Sequence, residues 1–91
     1  MKQLEKIFKG LANRRRLGII QILTKHKELS VAEIARRINL SLTSTSKHLL
    51  ILHQLDIVER RQENLNVYYR LGESLPHLVK QVVSIISNSR E

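Results

Sequence analysis

A run of short hydroxyl side chains followed by a lysine is the part of this chain best suited to contacting phosphates and bases. Residues 41–47 read Ser-Leu-Thr-Ser-Thr-Ser-Lys. Ser and Thr hydroxyls hydrogen-bond to phosphates or base edges, and a lysine neutralises a phosphate. At the start of a helix, such side chains can enter the major groove of a duplex. An ordinary polar cap and turn has the same composition, so the surrounding elements must decide between the two interpretations.

The charge balance favours a polyanionic partner. The 91 residues carry 16 Lys and Arg against 8 Asp and Glu, a formal net charge of +8. An excess of this size is typical of a domain that binds nucleic acid or an anionic membrane surface. No apolar run approaches the roughly 18 residues of a membrane span, so we expect no membrane partner. Nucleic acid is therefore the favoured partner.

Catalytic and metal-binding patterns are missing from the sequence. The chain has no cysteine, which excludes disulfides and thiolate metal sites and fits a cytoplasmic location. The four histidines do not have metal-ligand spacing; they are His26, His48, His53 and His77. No nucleophile–base pair, paired catalytic carboxylates or phosphate-binding loop is recognisable. We expect neither an enzyme nor a bound cofactor or metal.

Apolar periodicity and capping residues predict four helices before residue 56. The first covers residues 2–12, and Asn13 caps the second, in which Gly18 is expected to permit close helix packing. Ser30 and Glu33 form a capping box for the third. After a turn at residues 39–41, Ser41 caps a fourth helix that runs to about residue 55. Two helices joined by a short turn fit a helix-turn-helix, with residues 41–47 at the head of its second helix. That position favours DNA contact over an ordinary cap.

The remaining residues change period. Residues 57–62 and 66–71 are rich in β-branched and aromatic types, and polar residues 63–65 between them predict a hairpin. Ser74 is expected to cap a last helix with Pro76 in its first turn. The prediction is one domain over residues 1–91, mainly α with a small β-hairpin: four helices, two strands and a final helix.

These residues resemble the ArsR-type winged helix-turn-helix regulators. Residues 11–20, Leu-Ala-Asn-Arg-Arg-Arg-Leu-Gly-Ile-Ile, are similar to the run Leu-Ala-Asp-Pro-Thr-Arg-Leu-x-Ile-Leu in that family's second helix. Residues 41–49 resemble its recognition helix, and residues 57–61 with 67–71 resemble its wing. The resemblance covers about residues 4–72. It implies a winged helix-turn-helix fold and a homodimeric repressor on a palindromic operator in double-stranded DNA.

The predicted DNA contacts lie on the recognition helix and the wing. His48 matches a histidine common in the family, and Arg16 matches a family arginine that is either a contact or a structural residue. The DNA-binding prediction comprises Thr43, Ser44, Ser46, Lys47, His48, Arg60, Arg61 and Asn64.

The chain departs from the family pattern at several positions. The wing tip lacks a usual glycine, Asp56 replaces another, and two further departures bear on function. Residues 28–34 are similar to a cysteine-containing metal site in the third helix, but Ser30 and Ala32 stand at both cysteine positions. Leu42 and Leu50 share one helix face with Ser46, where the family is usually polar. An alternative is therefore a winged-helix module for protein interaction. Single-stranded or RNA binding is disfavoured because aromatic residues make up 3% of the chain and provide few stacking platforms.

The last helix carries more apolar surface than its own core requires. Its apolar side chains span about 160° of the helix, against roughly 100° for a helix that covers one core. The surplus predicts a homodimer interface shared with the first helix. The expected interface residues are Leu4, Ile7, Phe8, Leu78, Val79, Val82 and Ile86.

Overall fold

A computed structural model describes residues 1–89. Within that range the chain forms five helices and three short strands in the order α1, α2, β1, α3, α4, β2, β3, α5. Their bounds are α1 Lys2–Leu11, α2 Arg14–Lys25, β1 Leu29–Ser30, α3 Val31–Ile38, α4 Leu42–Gln54, β2 Val58–Glu63, β3 Asn66–Leu71 and α5 His77–Ser87. The predicted order of helices and hairpin is confirmed, and β1 is an addition that the sequence did not predict.

Side-chain caps start the second, third and fourth helices as predicted. Asn13 Oδ1 accepts hydrogen bonds from the backbone N–H groups of Arg15 (3.0 Å) and Arg16 (3.1 Å). Ser30 Oγ accepts from Glu33 N at 3.1 Å, and Glu33 Oε1 accepts from Ser30 N at 2.9 Å. These bonds satisfy amides that a helix leaves unpaired at its first turn. The hydrogen bonds between Ser30 and Glu33, that from the Ser30 backbone first, also hold the pKa of the Glu33 carboxyl below its ordinary value.

The turn between α3 and α4 makes the helix-turn-helix. Asn39 ends α3 with a φ of 56°, in the left-handed region. The N–H of Leu40 then donates to the carbonyl of Ala35 at 3.0 Å. Asparagine tolerates this conformation better than other non-glycine residues, which is why the chain can turn sharply here.

The core lies around α2. Fully buried side chains from α2, α3, α4, β2 and α5 meet there: Ile19, Ile20, Ile34, Leu49, Leu52, Val58 and Val79. Because α4 contributes Leu49 and Leu52 to this core, its opposite face is held outward.

The three strands form one antiparallel sheet in the order β1-β3-β2. Glu63 pairs with Asn66, so residues 64 and 65 make a two-residue turn at the wing tip. Asn64 has a φ of 57° in that turn. Asparagine tolerates this left-handed backbone, so the tight turn forms without a glycine. Leu29 of β1 pairs with Tyr69 of β3, which fixes the wing to the start of α3.

Helix α5 begins later than predicted. Pro76 is its N-terminal cap residue, with ψ at 147°, and no side chain caps the helix. The prediction of a Ser74 cap is wrong because it would place Leu75 in the helix directly before a proline, where the proline ring disfavours helical backbone. The helix then packs on α2. No helix among the described residues is long and apolar enough to cross a membrane.

Close helix packing falls at Gly10, not at Gly18. A Cβ built on Gly10 would overlap Leu55 Cδ1, so α1 and the end of α4 approach through this glycine. A Cβ on Gly18 would meet no atom within 4 Å. The prediction for Gly18 is therefore wrong: Gly18 borders an open depression between α2 and the end of α3, and no neighbouring helix packs directly on it.

Candidate nucleic-acid interface

The exposed face of α4 carries the polar residues that the sequence singled out. Ser41 Oγ accepts a hydrogen bond from Ser44 N at 3.1 Å and starts the helix. Thr43, Ser46 and Lys47 are exposed, and Ser44 is half-buried. These side chains stand in the first two turns of α4, where a recognition helix contacts base edges and phosphates.

Thr45 lies on the opposite, buried side of the same turn. It is fully buried, and its hydroxyl oxygen has no hydrogen-bond partner among residues 1–89. An unpaired buried hydroxyl is costly. Thr45 therefore belongs to the packing of α4 and is not available to a ligand, which separates it from the exposed Thr43 two residues earlier.

His48 does not extend freely from α4. Its Nδ1 lies 3.1 Å from Nη1 of Arg16, and the Arg16 side chain also donates to the carbonyl oxygens of Gly10 (Nε, 2.5 Å) and Lys9 (Nη2, 3.4 Å). Burial first, and then the charges of Arg16 and Arg15, lower the pKa of His48 below its ordinary value. The lowered pKa favours the neutral form of His48. Arg16 links α1, α2 and α4 through these contacts. Of its two possible roles, DNA contact or structure, we therefore favour the structural one.

The two wing arginines occupy different environments. Arg61 forms ion pairs with Glu28, at 2.7 Å, and with Glu63, and its guanidinium lies 4.7 Å from the ring centre of Tyr68. The hydrogen bond from Arg61 is the main cause of a lowered Glu28 pKa. Because two carboxylates balance its charge, Arg61 is a poor candidate for a phosphate contact.

Arg60, on the opposite face of the strand, is exposed and makes no ion pair within residues 1–89. It borders a depression at the base of the wing whose lining includes Glu28, Glu59 and Arg61. Of the two arginines, Arg60 is the one without a carboxylate partner among the described residues. Asn64 is exposed at the wing tip.

A second set of ion pairs anchors the far end of the hairpin. Arg70 binds Glu59 at 2.6 Å and Glu73 at 3.1 Å, and Glu59 Oε2 accepts a hydrogen bond from the backbone N–H of Glu73 at 2.9 Å. Together with Arg61, these contacts fix the hairpin against the α2–β1 loop and the segment before α5.

The recognition helix and the wing tip face a common groove. Leu42 and Ser46 of α4 line it together with Leu65, Asn66 and Val67 of the wing; we call this the α4–wing groove. Residues 34–55 contain Arg36, Arg37 and Lys47 and no Asp or Glu. From α4 back to residue 34, the helix-turn-helix thus carries basic side chains and no acidic ones beside the wing, a charge balance that favours contact with phosphates.

Two of the residues predicted to form a dimer interface are buried inside the protomer. Ile7 and Val79 belong to the core, so we remove them from the proposed interface. Leu78, Val82 and Ile86 of α5 are partly buried against the core. In contrast, Phe8 of α1 is 53% exposed and Ile85 of α5 is 70% exposed.

Sequence reasoning missed the close approach at Gly10 and the exposure of Ile85. Gly10 carries no chemical signal beyond its small size, and the apolar stripe on α5 does not show which of its members is most exposed. Among residues 1–89, no group of three or more His, Cys, Asp or Glu side chains is arranged to hold a metal ion.

Comparisons with known proteins agree with this geometry. Residues 13–59 match a family described as winged helix-turn-helix DNA-binding. The chain is 34% identical over 86 residues to the cadmium resistance transcriptional regulatory protein CadC homolog of Staphylococcus aureus, covering 94% of this chain and 69% of the relative. It is 30% identical over 77 residues to the arsenical resistance operon repressor of Escherichia coli K12, covering 85% and 66%. The chain thus spans about two thirds of the length of both relatives.

A solved structure shows the same fold. The homodimeric winged helix-turn-helix DNA-binding domain from Mycobacterium bovis, a possible ArsR-family transcriptional regulator, is 32% identical, with a TM-score of 0.78 over 93% of this chain and 75% of that domain. Fold and site define a winged helix-turn-helix DNA-binding protein. The chain belongs to the ArsR family of transcriptional regulators.

Proposed function

We propose that this chain is a homodimeric repressor that acts in the cytoplasm and binds a palindromic operator. Thr43, Ser44, Ser46 and Lys47 enter the major groove, and Arg60 and Asn64 of the wing reach the adjacent backbone or minor groove. The observation that carries the proposal is the shared groove between α4 and the wing tip. This groove brings Leu42 and Ser46 of α4 next to the wing tip, which supports a single duplex contacting both elements.

Dimerisation is supported by apolar side chains that the protomer leaves uncovered. Phe8 and Leu4 are exposed on α1, and Ile85 is exposed on α5. A chain of this size buries limited apolar surface by itself, so a second copy would add stability. A two-fold interface would set two recognition helices about 34 Å apart, one turn of duplex, which requires a palindromic site. The similar Mycobacterium bovis domain is homodimeric.

The regulatory direction is proposed from one relative. The Escherichia coli protein is named a repressor, and a dimer that covers an operator can exclude other proteins from it. The cysteine-free sequence leaves no thiolate to which a soft metal could bind. We therefore propose a repressor whose release from DNA does not depend on thiolate coordination.

Salt titration of duplex binding tests the phosphate contacts. Each phosphate contact contributes roughly 0.9 to the slope of log affinity against log salt concentration. Lys47→Ala should weaken binding to all duplexes and flatten this slope by about one unit. Lys80→Ala, which removes an equal charge from an exposed position of α5, is the matched control. Equal slopes for wild type and Lys47→Ala would remove Lys47 from the proposed contacts.

A further inference from the structure

Leu42 occupies an unusual place for a large apolar side chain. It is the first residue of α4 and is 56% exposed. It lines the α4–wing groove together with Ser46, one turn further along the same helix face. Neither the core nor the wing covers it, so more than half of its surface is left open by the part of the chain that the structure describes.

The surroundings of Leu42 indicate a polyanion, because they are basic. On its other side, Leu42 borders a depression that is also lined by Arg15 and Arg36. Residues 34–55 carry three basic groups and no carboxylate, and the amino end of α4 adds the positive end of its helix dipole. An apolar protein partner would leave these guanidinium groups unpaired, whereas a duplex would neutralise them.

Thymine offers the apolar group that a leucine in the major groove can contact. Its C5-methyl lies in that groove, and cytosine has no methyl at the same position. We propose that Leu42 is a specificity-determining residue that selects thymine at one position of each half-site through this methyl group. Ser46 hydrogen-bonds to a neighbouring base edge or phosphate. This inference rests on the proposed function, since it requires that α4 enters the major groove.

Uracil substitution tests the contact, because uracil lacks the methyl group and keeps the base-pairing edge. A duplex selected by the wild-type protein from a random library is resynthesised with uracil at one thymine position at a time. Uracil at the symmetry-related Leu42 positions should weaken wild-type binding by about fourfold for each methyl lost. Leu42→Ala should bind the thymine duplex about as weakly as the wild type binds the uracil duplex. The variant should no longer distinguish uracil from thymine. Leu50→Ala, a truncation on the same face two turns further from the helix start, should keep the wild-type uracil profile.

The outcomes separate this inference from the proposed function. If the wild type binds its selected duplex and tolerates uracil at every position, or if Leu42→Ala keeps the wild-type uracil penalty, the role of Leu42 is wrong while duplex recognition stands. If Leu42→Ala keeps full duplex affinity but changes the sedimentation coefficient, Leu42 serves a protein contact. If the wild type selects no duplex, the proposed function and this inference both fail. Circular dichroism of Leu42→Ala confirms that the variant is folded.

Discussion

Nη1 of Arg16 lies 3.1 Å from Nδ1 of His48 and joins the first turn of α2 to the middle of α4. Arginine only donates hydrogen bonds, so His48 Nδ1 must accept, and the proton of the neutral ring must reside on Nε2. The same guanidinium holds two carbonyls at the end of α1. One side chain thus positions the recognition helix relative to α1 and α2.

Removing the Arg16 side chain should destabilise the fold. Arg16→Ala leaves the Gly10 carbonyl and His48 without their donor, and a hydrogen bond of a charged group contributes about 1.5–3 kcal/mol. We expect a decrease of this size in the free energy of unfolding, measured by urea denaturation. Arg16→Lys should recover little of it, because an ammonium cannot reach several acceptors in the fixed geometry of a guanidinium. Arg14→Ala, at an exposed neighbouring position, is the control; equal effects of both alanine variants would refute the linking role.

His48 should make stability depend on pH. Its pKa in the folded state lies below the ordinary value of 6.5, so between the two pKa values the unfolded chain binds more protons. The contribution of neutral His48 is therefore fully present above about pH 6.5 and is lost as the pH falls through the lower, folded-state pKa. Urea midpoints at pH 7.5 and 5.5 should differ more for wild type than for His48→Gln. His53→Gln, at an exposed site on the same helix, should retain the wild-type difference, and a flat wild-type profile would contradict the prediction.

The two helical glycines should respond oppositely to alanine. Gly10→Ala forces a methyl group against Leu55, and overpacking of this kind typically costs about 1–3 kcal/mol. The higher helix propensity of alanine offsets about 1 kcal/mol of this cost, so we expect a net destabilisation of up to about 2 kcal/mol. Gly18→Ala enters open space and should stabilise α2 by about 1 kcal/mol through its higher helix propensity. Thermal or urea unfolding measures both. In a Leu55→Ala background the cost of Gly10→Ala should largely disappear; a cost that persists would show that Leu55 is not the obstacle.

The dimer surface can be tested without disturbing the core. Ile85→Glu places a charge at the most exposed apolar position of α5, and we expect it to shift the protein from dimer to monomer in analytical ultracentrifugation at micromolar concentration. Operator affinity should fall when the dimer dissociates, because a single protomer contacts only one half-site. Leu65→Glu introduces the same charge at the wing tip, where the leucine is 97% exposed, and should leave the dimer intact. A wild type that sediments as a monomer at tens of micromolar would refute the dimer.

Local signals made most of the fold predictable from the sequence. Asn13, Ser30 and Ser41 cap their helices where expected because capping depends on residues within one turn. The start of α5 was misplaced because a proline restricts the residue before it, and that local rule outweighs a nearby serine. Strand β1 escaped prediction because two residues carry no periodicity.

The residue types of the candidate site were predictable from the sequence, but the contacts between their side chains were not. Arg61 and Glu28 are 33 positions apart, and no local pattern shows that they pair while Arg60 has no carboxylate partner among the described residues. His48 was recognised by resemblance, yet its contact with Arg16 depends on how α2 crosses α4. The stripe on α5 indicated surplus apolar surface, but which side chains remain exposed depends on the packing of α5 against α2. That packing buries Val79 and exposes Ile85.

Selection of duplexes from a random library by the wild-type protein, followed by titration of the enriched duplex and a scrambled version at one salt concentration, tests sequence-specific recognition most directly. We expect enrichment of a motif with two-fold symmetry whose half-sites are about one helical turn apart. The enriched duplex should bind at least about a thousandfold more tightly than the scrambled duplex, the lower end of the range for specific binding. Failure to enrich any motif, or equal affinity for both duplexes, would rule out sequence-specific recognition by this chain.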